Sequence, residues 1–199
     1  MVFSIKFDQA LAYTAVIHAG QVRHKTRMPA LAHLMGVAGL ALEYGANEQE
    51  AIAALLHDAV EDAGGEDRVK DIRARFGDNV ADIVAGCTAS AKKADAPWRD
   101  VKQKFITSLG KASSPVRLVA ACDKLHNARA LLRNLRVEGE SLWRRYPDGK
   151  DGALWYFRSL TQAFKKHGPA SIGDELDRVI REIEVLASKK RPTGRTLPP

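Results

Sequence analysis

The sequence predicts an all-α chain folded as one domain. Three observations carry that reading. Apolar residues recur at helical spacing along most of the chain, and no stretch alternates for long enough to make a strand. Start and stop signals fall at the edges of the periodic segments, among them Asn47 with Glu50, Ser114 with Pro115, and Gly168 with Pro169. The length of 199 residues, with 45% hydrophobic and 28% charged, suits one ordinary core and excludes a disordered or fibrous chain.

Each element has its own local justification. Phe7, Leu11, Thr14 and Ile17/His18 mark one face of a first helix. Residues 19–28 form a basic connector, in which Arg23, Lys25 and Arg27 occur without an acid. Pro29 suits the first turn of a second helix that runs to about Tyr44. Asn47 and Glu50 make a capping box for a third helix, which continues through Leu55-Leu56-His57-Asp58 until Gly64-Gly65 breaks the pattern. Two short helices follow over 66–76 and 78–87, separated by Gly77, and 88–97 is a loop by composition. A helix from Trp98 to about Leu109 precedes a long apolar one, capped by Ser114 and reaching about Leu135. The stretch 138–152 reads as irregular, with a turn signal at Pro147-Asp148-Gly149. A helix over Ala153–Lys166 and a final amphipathic one through Leu176, Val179, Ile180, Ile183 and Leu186 complete the domain.

Composition narrows the function. The formal charge is +7, but Lys189, Lys190, Arg191 and Arg195 supply four of those charges in a segment with little to bury. Residues 1–188 are therefore read as the domain and 189–199 as a basic, disordered tail. So placed, the charge argues against a nucleic-acid partner. No apolar run approaches the ~20 residues of a membrane span, and the first residues lack the apolar stretch of a signal peptide. Cys87 and Cys122 lie in apolar surroundings and read as small buried hydrophobes of a reducing, cytoplasmic compartment.

The segment Leu55-Leu56-His57-Asp58-Ala59-Val60-Glu61-Asp62 carries the strongest chemical signal. It puts four ionisable residues at the end of an apolar helix, where burial is costly unless they are paired or bound to a metal. Glu61 lies four residues after His57 and Asp62 four after Asp58, so in a continuous helix each pair shares a face. Asp123 sits among Val119, Ala120, Ala121 and Leu125, an expensive place for a free carboxylate, and Asn127 shares its face one turn on. His33 sits similarly among Leu31, Leu34 and Met35. Two His and two Asp form a mixed nitrogen and oxygen set suited to one divalent transition ion such as Mn²⁺ or Fe²⁺.

The order His…His-Asp…Asp resembles the HD-domain metal-dependent phosphohydrolases. Within them the chain is most similar to the hydrolase domain of the RelA/SpoT proteins and to the stand-alone small alarmone hydrolases of the Mesh1 type. The resemblance rests on His18-Ala19-Gly20-Gln21, on Pro29 and His33, on His57-Asp58-Ala59-Val60-Glu61-Asp62, on Phe76-Gly77, and on Asp123-Lys124-Leu125-His126-Asn127. It implies an HD-type helical bundle in which His33, His57, Asp58 and Asp123 bind one Mn²⁺ and Glu61 and Asp62 form the catalytic pair. It further implies removal of pyrophosphate from the 3′ position of (p)ppGpp, with Arg23, Lys25, Asn127 and Tyr156 contacting the nucleotide. The chain departs from the family around that nucleotide. The His18–His33 interval is one residue longer, Ala30 follows Pro29, Ala89-Ser90 follow Thr88, Ala130 replaces a Thr, and Gly152 stands where an Arg is common. An adenosine alarmone of the (p)ppApp type, NADPH, and a non-catalytic nucleotide sensor therefore stand beside guanosine as alternatives.

Overall fold

The computed structural model describes residues 2–23, 28–62, 64–88 and 96–188, without the side chain of Asp62. Among these residues the chain is all-α. The helices are α1 Ile5–Ile17, α2 Ala30–Glu43, α3 Glu48–Leu56, α4 Ala59–Asp62, α5 Gly65–Phe76, α6 Asp78–Cys87, α7 Trp98–Ser108, α8 Ser114–Glu138, α9 Gly149–His167 and α10 Ala170–Ser188. A 3₁₀ segment, Gly139–Arg145, occupies part of the stretch read as irregular. None of the helices is long and apolar enough to cross a membrane.

The bundle is built around α8. Its residues Val119, Ala121, Leu125 and Ala128 are fully buried, and it packs against α2, α3, α6, α9 and α10. The predicted stripe of α10 follows the expected period: Leu176, Val179, Ile180 and Ile183 all face the core. The capping box of α3 forms as the sequence implied, with Glu50 N–H donating to Asn47 Oδ1 at 3.0 Å and Asn47 N–H to Glu50 Oε2 at 2.8 Å. Helix α8 is capped one residue earlier than expected, at Ser113, which leaves Ser114 and Pro115 in the first turn.

Two departures from regular helix shape the site. Helix α3 stops at Leu56, and α4 restarts at Ala59. The reason is local: the His57 imidazole Nδ1–H donates to the Ala54 carbonyl at 2.8 Å, the acceptor that a continuous helix would offer to the Asp58 amide. The helix read through His57-Asp58 thus ends at Leu56, and the continuous helix on which the two i,i+4 pairs would share faces does not form. The second departure closes the basic connector. Arg23 N–H donates to the Met28 carbonyl and Ala30 N–H to the Gln21 carbonyl, both at 2.9 Å, so the chain leaving α1 turns back onto the start of α2.

Candidate active site

Helices α2, α3 and α8 meet one another pairwise, and each delivers part of the predicted donor set to that junction. His33 comes from α2, His57 and Asp58 from the break after α3, and Asp123 from the middle of α8. His33, His57 and Asp123 are buried; the Asp58 side chain keeps 31% of its surface. His33 Nε2 stands 3.1 Å from Asp123 Oδ1 and 3.6 Å from Asp58 Oδ2. His57 Nε2 stands 3.2 Å from Asp58 Oδ1 and 3.6 Å from Asp123 Oδ1.

Despite these separations neither buried Nε2 makes a hydrogen bond. Two orphaned imidazole nitrogens facing two carboxylates are an expensive arrangement for an apolar junction. A divalent cation resolves it. Ligand atoms about 2.1 Å from a common ion are themselves roughly 3.0–3.4 Å apart in octahedral or tetrahedral geometry, close to the separations found. The nitrogen and oxygen donor set fits a divalent first-row ion, and His33, His57 and Asp58 alone place their ligand atoms within 4.8 Å of one another.

The electrostatics agree with a site that wants positive charge. Burial alone would lower the His57 pKa, but the Asp58 and Asp123 carboxylates push it up to about 9. Burial would likewise raise the Asp123 pKa, yet Lys124 and the two imidazoles hold it well below the ordinary carboxylate range. The two Asp123 oxygens divide the work. Oδ2 accepts from the Lys124 ammonium, while Oδ1 faces the histidines and accepts from Asn127 Nδ2 at 2.6 Å. Asn127 Oδ1 in turn accepts from Arg23 Nη2 at 2.6 Å, which ties the basic connector to α8.

Two hollows adjoin this cluster. The larger, about 580 Å³, is lined by Arg23, His33, Asp58, Asn127 and Tyr156 among others. The smaller, about 70 Å³, is lined by Glu61 together with His57, Asp58, Cys87 and Asp123. Asp58, Lys102, Lys124 and Tyr156 line both. The structure thus gathers the four predicted donors, puts Glu61 at the smaller hollow and Arg23 and Asn127 at the larger, and leaves Tyr156 at the wall between them. Lys25, the side chain of Asp62 and residues 189–199 lie outside the described residues. Ala130 lines the larger hollow. Gly152 is buried, and a Cβ added there would overlap the Asp148 Cβ, so a larger residue at this position has no room as α9 stands.

Several contributors received no role from the sequence. Lys124 and His126 belong to the quoted Asp123-Lys124-Leu125-His126-Asn127 run but had no assigned role. Lys124 is held between Asp123 and the Phe105 ring, its Nζ 4.9 Å from the ring centroid. His126 sits behind His33, Nδ1 to Nδ1 at 2.9 Å. Its i+3 spacing from Asp123 was the available signal. Trp98 brings an aromatic edge to the hollow, 5.9 Å from Tyr156 between ring centroids; a lone Trp at a helix start carried no comparable signal. His18, bonded through Nδ1 to Gln21 Oε1 at 2.7 Å, also lines the larger hollow.

The chain is similar to several known proteins. Among curated proteins, the chain is 31% identical over 126 residues to a probable guanosine-3′,5′-bis(diphosphate) 3′-pyrophosphohydrolase of Synechocystis, covering 62% of this chain and 16% of that protein. It is 35% identical over 114 residues to the guanosine-3′,5′-bis(diphosphate) 3′-pyrophosphohydrolase of Aquifex aeolicus, covering 56% and 16%. The chain therefore matches only about a sixth of the length of these relatives. Among solved structures, it superposes on a metazoan ortholog of SpoT that hydrolyses ppGpp, with a TM-score of 0.75 at 27% identity, over 94% of this chain and 99% of that one. It also superposes on lmo0812 of Listeria monocytogenes, with a TM-score of 0.65 at 30% identity, over 79% and 99%. The family model described as the HD domain matches residues 10–145, a span that holds all four candidate donors, Glu61 and the break between α3 and α4. By that match the chain belongs to the HD-domain family.

Proposed function

We propose that this chain is a Mn²⁺-dependent hydrolase of (p)ppGpp that releases the 3′-pyrophosphate and leaves GDP or GTP. One observation carries the proposal: two orphaned buried imidazole nitrogens and two carboxylates converge at the seam between a nucleotide-sized hollow and a small one lined by Glu61. The likeness to a ppGpp hydrolase over nearly the whole of both chains supports the substrate class. His33, His57, Asp58 and Asp123 would hold the ion. When bound, a divalent cation supplies positive charge for the phosphate oxygens and makes a nearby water more acidic.

The chain's own residues do the rest. Glu61, in the small hollow, orients the attacking water and accepts its proton, with Asp62 assigned to the same water network. The water oxygen bonds to the phosphorus attached at the ribose 3′ oxygen, that oxygen leaves, and a proton returns to it. Lys102 and Lys124, which line both hollows, offset phosphate charge on the way. Arg23, held by Asn127, and Lys25 bind the distal phosphates or the base, and Tyr156, which lines both hollows, contacts the nucleotide. Free thiols at Cys87 and Cys122 fit a reducing compartment, and cytoplasmic action belongs to the same reading.

The apolar Ala130 in the wall of the larger hollow favours a second reading of the base, in which adenosine 3′-pyrophosphates are also cleaved. A turnover panel decides. The chain is incubated with ppGpp, ppApp and NADPH, with Mn²⁺ or with EDTA, and products are separated by chromatography. Mn²⁺-dependent release of pyrophosphate from ppGpp is expected. Equal turnover in EDTA, or none with any nucleotide, overturns the proposal.

A further inference from the structure

An imidazole that ligates through Nε2 must carry its own proton on Nδ1, and something must hold it in that tautomer. His57 is held by a backbone carbonyl, the Ala54 oxygen 2.8 Å from its Nδ1, which can only accept. For His33 the bonded partner at Nδ1 is another imidazole, His126 Nδ1 at 2.9 Å. Either ring could donate. If His126 donates, the His33 proton sits on Nε2, which stands 3.1 Å from Asp123 Oδ1 and is then closed to a cation. If His126 accepts, His33 Nε2 presents a lone pair to Asp58 and Asp123.

The surroundings of His126 favour a built role over a chance contact. Its ring is pressed against Gly36, one turn along α2 from His33, where an added Cβ would stand 2.6 Å from His126 Cδ2 and closer still to Nε2. Only a residue without a side chain lets the ring approach α2 this closely. The ring crosses His33 at 62° with centroids 4.8 Å apart, so it meets His33 edge-on at Nδ1 and not by stacking. Glycine at 36, His126 at the i+3 position from Asp123, and His33 thus form one device across the α2–α8 contact.

We infer that His126 is a positioning residue: by accepting the His33 Nδ1 proton it holds His33 with Nε2 open toward Asp58 and Asp123, ready for the cation. This rests on the metal reading above. Its removal leaves the metal ligands in place but allows His33 to turn its proton onto Nε2, and such supporting partners are typically worth about 10–100-fold in metal affinity.

The test compares the wild type with His126→Asn, His126→Leu and Gly36→Ala. The Asn Oδ1 occupies nearly the position of His Nδ1 and can accept; Leu cannot; Ala at 36 pushes the ring aside without touching the donor set. Mn²⁺ affinity is read by electron paramagnetic resonance of the free ion, the absorption bands of the Co²⁺ form report ligand geometry, and thermal denaturation of the metal-free chains reports folding. Expected is wild-type Mn²⁺ affinity and Co²⁺ bands in His126→Asn, with a loss of about 10–100-fold in both His126→Leu and Gly36→Ala. Because Ala is the better helix former, a weakened site in Gly36→Ala without a lower melting temperature separates aiming from folding. Leu binding within about threefold of wild type overturns the inference, as does Asn falling as far as Leu. A wild-type chain that takes up no Mn²⁺ or Co²⁺ overturns the metal reading itself, an outcome distinct from variants that bind equally well.

Discussion

Lys124→Met tests how the donor cluster balances its charge. Lys124 is the only lysine among the described residues bonded to Asp123, and the two side chains keep 18% and 8% of their surface. Burial alone would lower the Lys124 pKa, yet the Asp123 carboxylate holds it above the ordinary range. Methionine fills the volume of the lysine stem but leaves the carboxylate without its cation. Breaking a buried pair from one side costs about 3–5 kcal/mol. For a chain of this size each kcal/mol moves Tm by roughly 2–4 °C, so the metal-free variant should melt about 6–20 °C lower. The loss should shrink when a divalent ion is present, because a cation on the other side of Asp123 supplies the missing charge. By reciprocity, the variant should then bind the ion at least about tenfold more tightly than the wild type, about 1.4 kcal/mol. Urea and thermal denaturation with EDTA and with excess Mn²⁺, together with a metal titration, measure all three quantities. A metal-free variant that loses under about 1 kcal/mol, or one whose loss is the same with and without the ion, would refute the reasoning.

Glu61→Gln keeps the small hollow filled but removes the acceptor for the water proton; metal content should be unchanged while kcat falls by about 10²–10⁴, and loss of metal from this variant would make Glu61 a ligand instead. Ala130→Thr puts a hydroxyl into the wall of the larger hollow and should shift the ppGpp to ppApp ratio of kcat/KM toward guanosine by roughly tenfold, from a wild-type ratio within ~100-fold. An equal change on both nucleotides sinks that idea. Burial, with Asp123 nearby, pushes the Cys87 thiol up to about 12, and burial does the same to Cys122. At pH 8 only about one thiol in 10⁴ is then ionised, so iodoacetamide should label the folded chain about 10³-fold more slowly than the unfolded one, with a rate that rises tenfold per pH unit. Rapid labelling of partly exposed Cys87, read by mass spectrometry, contradicts it.

The sequence by itself determined most of the helices and which residues are the candidate donors. Helices are written in short-range terms: the stripe of α10, the Asn47 and Glu50 box, and Pro115 in the first turn of α8 each act within a turn or two. The donors were legible because His33 and Asp123 stand where an unpaired polar group is costly, and because His57-Asp58-Ala59-Val60-Glu61-Asp62 matches a known pattern. Tertiary structure decided how these parts act together. The pairing of His33 with His126 spans 93 residues and that of Arg23 with Asn127 spans 104. Such contacts depend on the angle and depth at which α2 and α8 pack, which no local rule supplies. The same holds for the division of Asp123 between Lys124 and the histidines, and for Glu61 opening into a separate hollow from Arg23. Even the break between α3 and α4 is set by one imidazole turning back onto Ala54, a choice the 3.6-residue period could not foresee. Periodicity places a side chain on a face; only the packing of three helices decides which atoms on those faces meet.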